Sequence, residues 1–202
     1  HGSDTVIPDG ALIQSWIDLS GQNHHVRQLT QLRRPTYNAS GLNSLGTVGF
    51  DGVNDHMAYS GSDSLISENM TIIAVTRRRV STDSKAMLIS QQLGNNQMQF
   101  RSGGGVSGLG KQLVFESKIS DVYVSANSTI PVFDQTRYAI LTMVKSGGDV
   151  RLYENGYELF SESSSLPWPP ESGGVSAFWL GSSPASSHFW DGDVAELMVY
   201  HG

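Results

Sequence analysis

From Val150 to Phe160 the chain reads Val-Arg-Leu-Tyr-Glu-Asn-Gly-Tyr-Glu-Leu-Phe, two alternating segments parted by Asn155-Gly156. A two-residue loop that matches the right-handed twist of antiparallel strands needs positive φ at both central positions, and Asn-Gly supplies it at low steric cost. The segment therefore predicts a β-hairpin, and a hairpin needs further strands to cover its apolar face. Arg137 to Lys145 supplies one, with Ile140, Thr142 and Val144 on one face and Ala139, Leu141 and Met143 on the other. Such two-sided apolarity predicts a central strand covered on both faces, and Met70 to Thr76 repeats it.

Shorter strands are predicted at Thr47 to Phe50, His56 to Tyr59, Ala86 to Ser90, Gln97 to Arg101, Gln112 to Phe115, Asp121 to Ser125, Ala177 to Leu180 and Asp193 to Tyr200. Gly, Asn, Asp, Ser and Pro separate them at short intervals, and no window sustains a 3.6-residue apolar period for three turns. The pattern is all-β. Ser102 to Gly110 and Ser161 to Gly174 read as surface loops. With 202 residues and 22 glycines, the chain suits one sandwich, read as a single domain over residues 1–202. Its first residue, His1, reads as cut from a longer polypeptide.

The chain has no cysteine, which removes disulfides, thiolate metal sites and cysteine nucleophiles together. A formal charge of −6 disfavours a nucleic-acid partner, because phosphate binding shows a basic footprint. No apolar run approaches the length that spans a bilayer, so membrane insertion is not expected.

Several motifs occur in a specific order. Trp16-Ile-Asp-Leu-Ser-Gly-Gln-Asn23 is followed by Arg34-Pro35, Gly41-Leu-Asn43 and Val48-Gly-Phe-Asp-Gly-Val-Asn-Asp55; then come Met70-Thr71-Ile72, the Asn155-Gly156 hairpin, Leu180-Gly181 and Gly192 to Tyr200. This series resembles the laminin-G-like domains of the concanavalin-A-like lectin and glucanase superfamily. The resemblance implies a jelly roll: a two-sheet antiparallel β-sandwich whose sequential ends meet in one sheet. It fits a secreted, cell-surface or virion location. Superfold membership alone leaves function open.

Enzymatic sets are incomplete. In Asp191-Gly-Asp-Val-Ala-Glu196 a regular strand sends Asp193 and Glu196 to opposite faces, whereas glycoside hydrolysis needs two acids on one cleft. Gln97, Gln99 and Arg101 alternate on one strand face, as a polysaccharide lyase would require to neutralise a uronate, but no Tyr or His motif completes the set. His24-His25, His56 and His188 lack a third metal ligand at recognisable spacing. No Gly-x-Ser-x-Gly elbow presents a serine.

No cofactor is required by the sequence, and calcium has partial support. Asn95-Asn96 resembles the place where pentraxins carry an Asp-Asn ligand pair, although the companion acidic loop is missing. Asp51 and Asp55 form a second oxygen-rich segment, for which an Asp-Gly turn holding its own backbone is the preferred reading. Arg77-Arg-Arg79 reads as a solvated edge that discourages strand addition.

The aromatic lead for binding is Trp168, framed by prolines in Leu-Pro-Trp-Pro-Pro, together with Trp190 beside His188. Flat rings stack on sugar faces while amides orient hydroxyls. The competing reading is a hydrophobic lid on the end of the sandwich. Trp16 and Trp179 lie in strand patterns and are assigned to the core. The resulting expectation is a non-catalytic recognition or adhesion module that binds a glycan or protein partner through Asn95, Asn96, Arg101, Trp168, His188 and Trp190, as a homo-oligomer or within a larger assembly. The alternative is a structural decoration or fibre domain of a phage particle or surface protein; a polysaccharide hydrolase or lyase ranks third.

Overall fold

A computed structural model describes residues 6–61, 67–79, 85–94, 96–103, 112–119, 122–130, 132, 136–163 and 176–202. Its strands are β1 (Ser15–Trp16), β2 (Val26–Arg27), β3 (Thr36–Leu42), β4 (Leu45–Asp51), β5 (Met57–Gly61), β6 (Met70–Arg78), β7 (Ala86–Leu93) and β8 (Asn96–Ser102). They continue with β9 (Leu113–Ile119), β10 (Val122–Asn127), β11 (Ala139–Ser146), β12 (Asp149–Glu154), β13 (Tyr157–Ser163), β14 (Ser176–Leu180) and β15 (Asp191–His201). One 3-10 turn, Gln31–Arg33, is the only helical element among the described residues.

The strands form two antiparallel sheets, one ordered β1-β2-β5-β14-β7-β8-β9-β10 and the other β13-β12-β11-β6-β15-β4-β3. This is the expected sandwich. The Asn-Gly loop joins β12 to β13 with φ of 50° at Asn155 and 83° at Gly156, the conformation that selected those two residues. Asn155 Oδ1 also accepts the Ile140 N–H at 2.9 Å, tying the hairpin tip to β11. Strand β3 carries no clear alternation in sequence and was not anticipated. It is held by its pairing with β4.

The core lies between the sheets. Phe50, Ile72, Leu141, Met143 and Leu152 enter it from the seven-stranded sheet, and Met57, Ile89, Met98, Phe100, Phe115 and Phe178 from the eight-stranded sheet. Each such side chain, fully buried, contributes roughly 1.5–3 kcal/mol. Strand β6 alternates strictly between buried and half-buried residues. Both β6 and β11 are central in hydrogen bonding, but the expected second cover is incomplete: Ile140 on the outer face of β11 is 46% exposed. Two-sided apolarity here marks a central strand without a second packed layer.

Closure depends on β15, which inserts between β4 and β6. The last strand thus lies beside β4, whereas β1 and β2 sit at the edge of the other sheet, so the first and last strands do not meet in one sheet as expected. The Arg77 Nε and Nη2 donate to Asp193 Oδ2 at 3.0 and 2.6 Å, and Arg79 Nη1 to Asp193 Oδ1 at 3.1 Å. Arg79 Nε reaches Asp191 Oδ1 at 2.9 Å and its Nη2 the Phe50 carbonyl at 2.6 Å. The arginine triplet is thus no solvated edge: Arg78 is buried beneath the Trp190 ring, 6.0 Å from its centroid, and its two neighbours clamp the closing strand.

At the start of β15, Gly192 leaves no room for a side chain, since a Cβ would fall 2.2 Å from the Arg77 carbonyl and 2.7 Å from Trp190 Nε1. Gly192→Ala should lower stability by about 2–3 kcal/mol, read as a reduced urea midpoint with unchanged slope. A second prediction concerns Asp55. Burial, and then the Asp51 charge, push its carboxyl from 3.8 up to about 6 against the opposing Asp51 N–H bond. The folded state then holds a proton that the unfolded chain has lost, so this contribution to stability is complete below about pH 4 and disappears as pH rises through 6. Asp55→Asn keeps an oxygen for the Asp51 N–H. The variant should gain about 1–2 kcal/mol over the parent between pH 4 and 7.5, measured by urea unfolding across that range; a pH-independent difference would refute the assignment.

Candidate functional site

Core packing of the eight-stranded sheet dictates its other face. Phe178 and Leu180, Ile89, Met98 and Phe100, and Phe115 all point inward. Apart from Leu88, which a bulge in β7 brings into the core together with Ile89, their neighbours must then point outward, because successive side chains on a strand alternate. Register lines the outward residues into rows across the strands. One row runs Trp179, Ser90, Gln99, Glu116, Ser125, from β14 through β7, β8 and β9 to β10. The next runs Ala177, Gln92, Gln97, Lys118, Tyr123. A third, on the opposite side of the first, runs Met87, Arg101, Val114, Asn127.

Exposure differs between the rows of this face and is least on β7, β8 and β9. Tyr123 is 56% exposed, and Gln92, Gln97, Lys118 and Trp179 are partly open. By contrast Gln99 is 7%, Glu116 8% and Arg101 3% exposed, and Met87 and Val114 are buried without joining the core cluster. The face is open at the Tyr123 row and closed at the Arg101 row.

Polar chemistry concentrates where it closes. Arg101 Nη2 donates to Glu116 Oε2 at 2.6 Å, and Nη1 donates to the Gly103 carbonyl. Gln99 Nε2 donates to Gln97 Oε1 at 3.3 Å. Among the described residues Gln99 Oε1, Glu116 Oε1 and Arg101 Nε remain without a hydrogen-bond partner, although a buried polar atom left so costs about 1–3 kcal/mol. At the open end the Lys118 ammonium sits 5.4 Å from the Tyr123 ring centroid. The face thus combines an indole, a phenol, a row of amides and an internally paired charge.

The sequence-predicted residues fare unequally. Arg101 is on this face, but sealed and paired with Glu116. Trp190 is 0% exposed and belongs to the core, so it offers no ring to a ligand; the lid reading describes it. His188 is exposed, with its carbonyl accepting the Met87 N–H at 2.8 Å. Asn96 pairs with Leu93 at the other end of β7, about 20 Å away along the strand. His188 and Asn96 therefore do not share a rim. Asn95 and Trp168 lie outside the described residues.

Asp51 and Asp55 do not fit a calcium site. Asp51 Oδ1 accepts the N–H groups of Val53, Asn54 and Asp55 at 2.8 to 3.1 Å, and Asp55 Oδ2 accepts that of Asp51. These bonds hold the Asp51 carboxyl below its ordinary value although burial acts the other way. The carboxylates serve the turn. Among the described residues no three His, Cys, Asp or Glu side chains cluster as metal ligands.

The acid cluster needs a correction. A β-bulge between Val194 and Glu196 sets Asp193 opposite Arg77 and Glu196 opposite Val75, which places both acids on one face rather than two. Asp193 is nevertheless 2% exposed, with both oxygens held by arginines. His25 Nδ1 accepts the Asp18 N–H at 3.0 Å, and His24 packs edge-on against Tyr59 at 5.0 Å. The histidine pair thus supports a loop.

Trp179 is the principal residue that sequence reasoning misplaced. Phe178-Trp179-Leu180 is apolar throughout, so periodicity could not say which residue faces out. Glu116, Lys118 and Tyr123 were missed because each gains meaning only through register. The Gln97, Gln99 and Arg101 alternation was the one available signal, and the aromatic partner it lacked is Tyr123, two strands from Gln97.

Comparisons with known proteins agree with this architecture. Domain 4 of AbnA, an extracellular arabinanase from Geobacillus stearothermophilus solved with arabinotriose, is similar at 17% identity and a TM-score of 0.63, over 83% of this chain and 75% of that one. The carbohydrate-binding module CBM40 of the Ruminococcus gnavus IT-sialidase, bound to α2,3 sialyllactose, is similar at 13% identity and 0.59, over 76% and 89%. The binding domain of Paraclostridial Mosquitocidal Protein 1 matches 96% of this chain at 14% identity and 0.66, and the match spans 48% of that longer chain. At such identities the likeness shows the fold alone. No curated protein sequence matches, and among the described residues no helix is long and apolar enough to cross a membrane. Residues 51–202 match the Laminin_G_3 family model, and the chain belongs to that family of the concanavalin A-like lectin/glucanases superfamily.

Proposed function

We propose that the chain is a non-catalytic glycan-binding module whose ligand lies on the outer face of the eight-stranded sheet. The observation that carries this reading is the half-open Trp179 indole on one face with the Gln92 and Gln97 amides and the Tyr123 ring of the adjoining row. A sugar presents apolar C–H faces and a rim of hydroxyls; an indole covers the first, and amides offer both donors and acceptors to the second. Concave or flat sites with a few placed polar groups on an otherwise rigid scaffold are the ordinary form of small-ligand recognition. The Arabinanase domain solved with arabinotriose and the module bound to sialyllactose make carbohydrate the first class to test.

Catalysis has less support on this face. Among its described residues it carries a single carboxylate, Glu116, already paired with Arg101, whereas the usual glycoside hydrolysis uses two. A lyase would need a guanidinium free to neutralise the uronate, and Arg101 Nη1 and Nη2 are both engaged. The proposed module acts outside the cell or on a particle surface, and calcium is not required for binding.

The test is a glycan array followed by titration calorimetry on the strongest hit. Trp179→Ala should weaken that hit by roughly tenfold or more, the scale of about 1.4 kcal/mol, while the circular dichroism and melting temperature stay near the parent's because the indole lies off the core. Trp168→Ala is the competing variant. Affinity lost with Trp168→Ala and kept with Trp179→Ala would move the site to the proline-framed loop. Chelation with EDTA should leave the parent's affinity unchanged, and reducing-end release from the bound polysaccharide would refute the non-catalytic reading.

A further inference from the structure

We infer that the glycan carries a carboxylate, held by Arg27 while the sugar ring that bears it lies on Trp179; this rests on the glycan-binding reading above. Register extends the Trp179 row past β14. Trp179 stands opposite Ala58 on β5, and Ala58 opposite Arg27 on β2. Val26 packs against the core, so Arg27 points to the outer face. Three consecutive places of one row are thus an indole, a methyl group and a guanidinium.

The gap between them suits a sugar. Trp179 and Arg27 are two strand spacings apart, about 9.5 Å, and Ala58 fills only the floor of that gap. The adjoining row is equally low there, with Ser60 opposite Ala177. A ring laid on the indole therefore overhangs Ala58, and a carboxylate on that ring comes within reach of an extended arginine side chain. Arg27 is exposed, and its guanidinium has no ion pair or hydrogen bond among the described residues. Its paired N–H groups match the two oxygens of a carboxylate, whereas Arg101 is already committed to Glu116. The pairing is one of recognition: His25, two residues before Arg27, is tied into its loop, with Nδ1 accepting the Asp18 N–H at 3.0 Å.

The other charges of the face agree in sign. Arg101 and Glu116 cancel, and Lys118, directly beside Gln97 in the open row, adds a second cation, so the described charges sum positive. Gln97 presents its Nε2 there, because its Oε1 accepts from Gln99. Lys118 lies three strand spacings from Trp179 on the side away from Arg27, about 14 Å, with its ammonium over Tyr123. It draws an anion toward the face, and Arg27 is the cation placed to hold it.

The experiment titrates pairs that differ in the carboxylate: oligogalacturonide hexamer beside its methyl ester, and 3′-sialyllactose beside lactose. The charged member of a binding pair should be favoured by roughly tenfold. Its affinity should fall several-fold from about 0.05 to about 0.5 M NaCl while the neutral member's holds, because only the ion pair is screened. A preference confined to the first pair identifies a uronate, and one confined to the second a sialate. Arg27→Met should erase the preference without lowering the melting temperature, Arg27→Lys should keep part of it, and Lys118→Met should cost less than Arg27→Met. Equal or tighter binding of the neutral members, or a preference that survives Arg27→Met, would overturn the inference and leave the glycan reading intact. If none of the four probes binds, the glycan array decides: hits confined to glycans without a carboxylate overturn the inference alone, hits on other carboxylated glycans that Arg27→Met removes support it, and a blank array overturns both readings.

Discussion

Strand alternation is the constraint on which the rest of this molecule depends. The core requires Phe178, Leu180, Met98, Phe100 and Phe115 to face inward, and a period of two leaves no choice for the residues between them. Trp179, Gln97, Gln99, Arg101 and Glu116 are outward because their neighbours are inward. A one-residue slip of β8 would place two glutamines and an arginine against the phenylalanines. The hydrophobic effect that stabilises the sandwich is thus the force that assembles the candidate site.

Closure of the second sheet works through a different balance. β15 inserts between β4 and β6, and the bulge at Ala195 lets it do so while turning Asp193 toward Arg77. Gly49 leaves room across the sheet, since a Cβ there would lie 3.0 Å from Asp193 Oδ1. Two arginines on one buried carboxylate compensate for its desolvation, and Arg79 extends the clamp to the Phe50 carbonyl. The Asp51 and Asp55 turn lies beside this clamp. Its two carboxylates shift in opposite directions because Asp51 collects backbone N–H groups and Asp55 collects chiefly burial and its neighbour's charge.

The sequence was most informative where a local rule has one answer. Asn155-Gly156 specified a hairpin because few dipeptides tolerate two positive φ values, and the ordered motifs from Trp16 to Tyr200 identified the family. Strand β3, with half-buried residues almost throughout, carries no alternation to read. Sites were least legible. Trp190 follows a turn and reads like a loop aromatic, yet it is wholly buried because the sandwich end needs a large apolar plug. Trp179 reads like core because its neighbours are, yet it faces out. Neither assignment can be made from periodicity when apolar residues are consecutive, and the Arg101–Glu116 pair spans β8 and β9, a contact that exists only once register is fixed.

That pair is also the least economical feature of the face. A buried ion pair seldom adds stability beyond what apolar residues of similar volume would supply, because desolvation of both charges offsets their attraction. Met87 and Val114, beside Arg101 in the same row, show that this position accepts apolar side chains. Packing therefore does not demand a guanidinium here, still less one that leaves its Nε, the second Glu116 oxygen and the Gln99 oxygen without partners among the described residues. Its hydrogen bonds join β8 to β9 and reach the Gly103 carbonyl, so the pair is satisfied only in this register.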